Sequence, residues 1–147
     1  MGYPGWVQVP GSGEVSRRAD LPAELASPGQ ARAVIRSVCR AGDIGDEVRE
    51  DAELVATELV ANVVDHARTR CTLTVTVTDA AVLIEVRDFY PCPPPQPQPF
   101  DPSNPRGRGL QVVAAVSSRW GVTPFPDGKS VWALLPGAST PAALHSS

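Results

Sequence analysis

Residues 46–67, DEVREDAELVATELVANVVDHA, decide the fold. Val48, Ala52, Val55, Leu59, Val63 and Ala67 recur at spacings of three and four, which predicts one helix from about Asp46 to Ala67 with an apolar face. On the same wheel Asp51, Glu58 and Asn62 form a stripe along the edge of that face, because residues four and seven apart stack on one side. Polar groups are therefore aimed near the core.

Downstream of Arg70 the period changes to two. Leu73, Val75 and Val77 alternate with threonines, Asp79-Ala80-Ala81 makes a turn, and Val82, Ile84 and Val86 alternate again, which predicts an antiparallel hairpin ending at Asp88. Residues 91–105 hold eight of the sixteen prolines and no apolar period, so no regular element is expected there. Gly107-Arg108-Gly109-Leu110 opens a third helix, Leu110 to about Ser118, which Gly121 closes. A last pair of strands turns around Pro126-Asp127-Gly128, with Val131, Ala133 and Leu135 on one side of the final strand and Ser130, Trp132 and Leu134 on the other.

Upstream, Ser27-Pro28-Gly29-Gln30 reads as an N-cap, a proline at the first helical position and a Gln three residues after the cap. A helix follows through Val34, Ile35 and Val38 to about Arg40, ended by Gly42. Residues 1–19 read as a flexible extension in which Trp6-Val7-Gln8-Val9 offers at most a short strand, and 137–147 as a disordered Ala/Ser/Pro tail. Helices beside mainly antiparallel strands predict a two-layer α/β sandwich of the α+β kind, a mainly antiparallel mixed sheet with helices on one face.

Composition narrows the function classes. A chain of 147 residues with 42% hydrophobic content fits one domain with loose ends. The net charge of −3 supplies no basic field for a nucleic-acid backbone, so direct nucleic-acid binding is not expected. No apolar stretch reaches a bilayer span and the start lacks a signal-peptide order, so a cytoplasmic protein without a membrane segment is expected. Cys39, Cys71 and Cys92 are odd in number and far apart, and read as free thiols.

Three groups of residues carry candidate chemistry. Glu58 and Asn62, a carboxylate and an amide one helical turn apart, suit a hydrated Mg2+, which takes hard oxygen ligands and retains waters. Glu58 also suits a base toward an attacking hydroxyl or water. An edge-of-core Glu and Asn on a solvated helix is the alternative, and the commoner case. Asp88 stands where an apolar strand meets the proline-rich loop, placed to accept from an amino group or simply to form a turn. Gly107 and Gly109 before a helix either bring backbone amides and Arg108 toward phosphate oxygens or merely permit a turn.

Together these stretches resemble a family. Glu58-Leu59-Val60-Ala61-Asn62 with His66-Ala67, then Val86-Arg87-Asp88, Gly107-Arg108-Gly109-Leu110 and Gly128-Lys129-Ser130-Val131-Trp132 look like the successive boxes of Bergerat-type (GHKL) ATP-binding domains. The branch they are most similar to is that of the anti-sigma factor serine/threonine kinases of actinobacteria, over about residues 20 to 136. The resemblance implies ATP and Mg2+ as cofactors, with Asn62 as the Mg2+ ligand, Glu58 as the general base and Asp88 as acceptor for the adenine amino group. It further implies that Gly107, Arg108, Gly109 and Leu110 form the lid edge and phosphate-binding helix start, and that Ser130 reaches adenine through its hydroxyl. Residues 91–105 take the place of the lid. Phe89-Tyr90-Pro91 departs from the small residues usual after the adenine-binding Asp and implies a narrowed purine pocket.

The activity implied is phosphorylation of an anti-sigma factor antagonist, coupled to sequestration of a sigma factor. The partners would be those two proteins and, by inheritance, a second copy in a homodimer. Arg32 on the first helix matches an exposed arginine used for sigma contact in relatives. The alternatives are a nucleotide-binding regulatory module that controls its partner without phosphorylating it, and a structural domain that binds no nucleotide.

Overall fold

The computed structural model describes residues 6–9, 14–78, 81–90 and 105–137, with side chains described except at 6–9 and 105–109. The first two elements are β1 (Trp6–Val9) and β2 (Glu14–Leu21). The short strand offered by Trp6–Val9 is present, while residues 14–19, expected in a flexible extension, are strand as well. β2 pairs along its length with β3 (Cys71–Val77), in register from Val15 opposite Val77 to Leu21 opposite Cys71, so residues 14–19 are part of the sheet. Val15 and Leu21 are buried on the helix side, and Arg17 occupies the same face between them, which breaks the alternation that would have marked the strand.

Helix α1 (Ser27–Ala41) begins with Ala26, not Ser27, at the cap position. Ser27 is fully buried, and its hydroxyl donates to the Pro22 carbonyl at 2.5 Å, which satisfies the burial locally instead of capping the helix. The helix stops at Gly42, whose amide donates to Val38 O, and Asp43 supplies the left-handed residue at φ 59°. Gly42 is required sterically: a Cβ there would lie 2.5 Å from Cγ1 of the buried Val77.

Helix α2 runs Asp46–Asn62, with Asp46 and Glu47 in the first turn, where the helix dipole favours carboxylates. The chain then widens into a π-helical turn, Val63–Ala67, closed by Arg68 in the left-handed conformation with its amide on Val63 O. The predicted apolar stripe is realised: Ala52, Val55, Leu59, Val63 and Ala67 are buried, and Val48 packs against the core.

β3 pairs antiparallel with β4 (Ala81–Asp88), Leu73 opposite Val86 and Val75 opposite Ile84. Helix α3 (Pro105–Val116) leads to β5 (Arg119–Phe125) and β6 (Gly128–Pro136). The sheet order is β1-β2-β3-β4-β6-β5, and every pairing described is antiparallel. Leu73, Val75, Val77, Val82, Ile84, Val86, Ala133 and Leu135 face the helices and are buried. The opposite face carries Thr74, Thr76, Glu85, Trp132 and Leu134, each half-buried. This is the expected two-layer α/β sandwich with helices on one face.

Two boundaries differ from expectation in the C-terminal part. α3 starts at Pro105, whose fixed φ and missing amide donor suit a first helical position, so residues 107–110 lie inside the helix rather than ahead of it. Gly121 does not close that helix but sits in β5 opposite Trp132, where a Cβ would come within 2.8 Å of the indole ring. The turn at Asp79-Ala80, the stretch 91–104 and the tail 138–147 fall outside the described residues.

Candidate functional site

Asp88 is the last residue of β4 and is 2% exposed. Alternation from Val82, Ile84 and Val86 carries its side chain to the helix face of the sheet. Oδ1 accepts the amides of Tyr90 and Lys129, both at 3.2 Å, and Oδ2 accepts Nζ of Lys129 at 2.7 Å. Gly128 permits this packing: at φ 155° its missing Cβ would stand 2.2 Å from the Asp88 carbonyl oxygen and 3.0 Å from Oδ1. Cys71, directly opposite Asp88 in the register, has its thiol pushed up to about 11 by burial and, secondarily, by the Asp88 and Asp20 charges.

Ser130, expected beside adenine, pairs with Arg87 and therefore points to the opposite face of the sheet from Asp88. The β6 residue that reaches Asp88 is Lys129, one position earlier. Counting alternation back from the buried Leu135 and Ala133 would have identified it.

Glu58 and Asn62 lie one turn apart on α2, both half-buried, at the end of the helix that widens into the π turn. Among the described residues, neither side chain has a hydrogen-bond or ion-pair partner. Their neighbours differ: Thr57 donates to Glu53 O, and Glu53 is held by Arg36 at 3.3 Å and by Arg49. Glu53 and Thr57 are thus braced, whereas the predicted stripe of Asp51, Glu58 and Asn62 is without a hydrogen-bond or ion-pair partner among the described residues. α2 packs against β4, β6 and α3, which sets Glu58 and Asn62 on the helix that covers the strand ending at Asp88.

The remaining expected residues are placed as follows. The backbone of Gly107, Arg108 and Gly109 is helical, and Leu110 packs half-buried against the core. Arg32 is half-buried and its Nη1 donates to Thr57 Oγ1 at 3.3 Å, so its guanidinium lies across to α2 instead of standing free. His66 is exposed in the π turn. Phe89 does not close over Asp88. Its ring is covered by the guanidinium groups of Arg70 at 3.9 Å and Arg87 at 4.8 Å, and Arg87 also lies 4.2 Å over Phe125 while pairing with Asp127. That pairing holds the Asp127 carboxyl below its usual range. Tyr90 is exposed.

An oxygen-rich pair without partners among the described residues, on the helix that covers the strand ending at a buried carboxylate, has donor chemistry that fits a nucleotide with Mg2+. No group of three or more acidic, His or Cys side chains able to hold a metal occurs among the described residues, so an ion there would take one or two oxygen ligands from them and the rest from water and phosphate. Asn62 and Glu58 are the residues that would hold the ion, which when bound supplies neutralising charge to phosphate oxygens.

The chain belongs to the histidine kinase-like ATPase domain family, whose model matches residues 21–134. Among solved structures it is similar to the RsbU and RsbW domains of Rv1364c from Mycobacterium tuberculosis, at 16% identity with a TM-score of 0.65. That match covers 83% of this chain and 32% of the other, so the chain spans about a third of that structure, and the likeness is one of fold. No curated protein matches its sequence. No helix among the described residues is long and apolar enough to cross a membrane.

Proposed function

We propose that the chain binds ATP with Mg2+ and acts as an anti-sigma regulatory kinase. In this reading a serine or threonine hydroxyl of an antagonist protein would attack the γ-phosphorus with Glu58 taking its proton, the bond to the β,γ-bridging oxygen would break and ADP would leave, and a second surface would hold a sigma factor. The observation that carries the reading is the half-buried Glu58–Asn62 pair, which has no hydrogen-bond or ion-pair partner among the described residues, whereas Asp46, Glu50 and Glu53 on the same helix are each held by an arginine. Membership in an ATPase family and the fold shared with a structure containing RsbW supply the context. A sigma factor that engages α1 through Arg32 has to compete with Thr57 for the guanidinium.

A second reading is nucleotide-dependent sequestration without phosphorylation. It requires the nucleotide but no base at Glu58. Incubation with labelled ATP, Mg2+ and candidate antagonists separates the two. Phosphate transfer that is lost in Glu58→Ala while nucleotide binding persists supports the kinase. Tight partner binding with no transfer, unchanged in Glu58→Ala, leaves sequestration. Absence of ATP binding by calorimetry, with Mg2+ present, rules out both.

A further inference from the structure

Both carboxylate oxygens of Asp88 are engaged by the chain itself. Oδ1 takes two backbone amides and Oδ2 takes the Lys129 ammonium at 2.7 Å. Asp88 is 2% exposed whereas the Lys129 side chain is 32% exposed, so the ion pair joins a buried carboxylate to a side chain that solvent reaches. An ammonium has three donors and no acceptor. With one hydrogen on Oδ2, this edge of the sheet presents donors to an incoming base, where a 6-amino purine needs an acceptor.

We propose that Lys129 is a specificity-determining residue of the nucleotide site. Its ammonium holds the oxygen of Asp88 that an exocyclic amino group would use, and adenine reaches Asp88 only by displacing it. A 6-oxo purine instead accepts from Lys129 with the ion pair intact, so the wild-type site does not favour the 6-amino base. The displacement is physically open because the lysine sits on a flexible four-carbon stem with solvent beside it. It is costly because it parts a cation from a buried carboxylate. The proposal rests on the nucleotide-binding reading of the site.

The test is calorimetric titration of ATP and of inosine triphosphate, each with Mg2+, into wild type, Lys129→Met and Lys129→Thr. Wild type is expected to bind the two nucleotides within about threefold of each other. In both variants Asp88 is released, and ATP is expected to gain over inosine triphosphate by about tenfold or more, because a carboxylate facing a 6-oxo group is an unpaired acceptor. Lys129→Thr introduces a β-branched residue that favours the strand, and so guards against misfolding of the methionine variant. Thermal unfolding checks that each variant is folded. A wild-type preference for ATP of about tenfold, or a ratio unchanged in the folded variants, overturns the proposal, and the wild-type comparison decides alone if neither variant folds. Failure of all three proteins to bind either nucleotide overturns the nucleotide reading itself, a result distinct from an unchanged ratio.

Discussion

Gly128→Ala tests how the end of β4 is held. The new Cβ would lie 2.2 Å from the Asp88 carbonyl oxygen, 2.9 Å from its carbon and 3.0 Å from Oδ1, so the obstruction is largely backbone and cannot be relieved by a rotamer change. The φ of 155° adds a conformation that non-glycine residues rarely adopt, at about 1–3 kcal/mol. Moving β6 away from β4 to relieve the contact costs about another 1–3 kcal/mol, as overpacking does. The sum is about 2–6 kcal/mol, or a Tm lower by about 6–20 °C for a chain of this size. Two other glycines calibrate the estimate. Gly42→Ala collides with Cγ1 of Val77 at 2.5 Å but at an ordinary φ, and is expected to cost about 1–3 kcal/mol. Gly29→Ala, inside α1 and 3.4 Å from the end of the Arg32 side chain, is expected to stabilise by about 0.5–1 kcal/mol. Urea unfolding of the three variants gives the order directly. A loss below about 1 kcal/mol for Gly128→Ala, or a smaller loss than for Gly42→Ala, refutes the packing described around Asp88.

Burial lifts the Cys39 and Cys71 thiols from 9.0 to about 11. Folding therefore favours the neutral thiols: their contribution is fully present below pH 9 and is lost as pH rises through about 11, so stability measured by urea unfolding should decline across that window. For the same reason iodoacetamide at pH 8 should label these two thiols only once the chain unfolds, which peptide mass spectrometry checks. Arg87→Leu removes the cation between Phe89 and Phe125 and should cost about 1 kcal/mol in urea unfolding. It should also let the Asp127 carboxyl rise toward its ordinary range, observable by NMR titration.

The central helix and the hairpin were readable because both are amphipathic with a clean period. α2 buries the predicted positions, and β3 and β4 pair as the alternation of valines and threonines requires. β2 was hidden by Arg17, a charged residue on the buried face, which makes EVSRRADL look like a polar lead-in. The π turn at 63–67 keeps its apolar residues inside at Val63 and Ala67, so the helical pattern continues across it and gives no sign of the wider coil. At the site, Glu58 and Asn62 were visible from helical spacing and Asp88 from its strand end. Lys129 was not, because its importance lies in a cross-strand contact between residues 41 apart, made where β6 begins. Arg32 looked exposed from sequence, but the α1–α2 packing brings Thr57 within its reach.

The proposed function places a nucleotide between α2 and the ends of β4 and β6. Amide-resolved NMR titration of the protein with ATP and Mg2+ tests it most directly. The account predicts shifts concentrated at residues 58–67, 88–90, 105–116 and 128–130, and reduced in Asn62→Ala. Shifts gathered on the opposite sheet face around Trp132 and Leu83, or none at all, would contradict it.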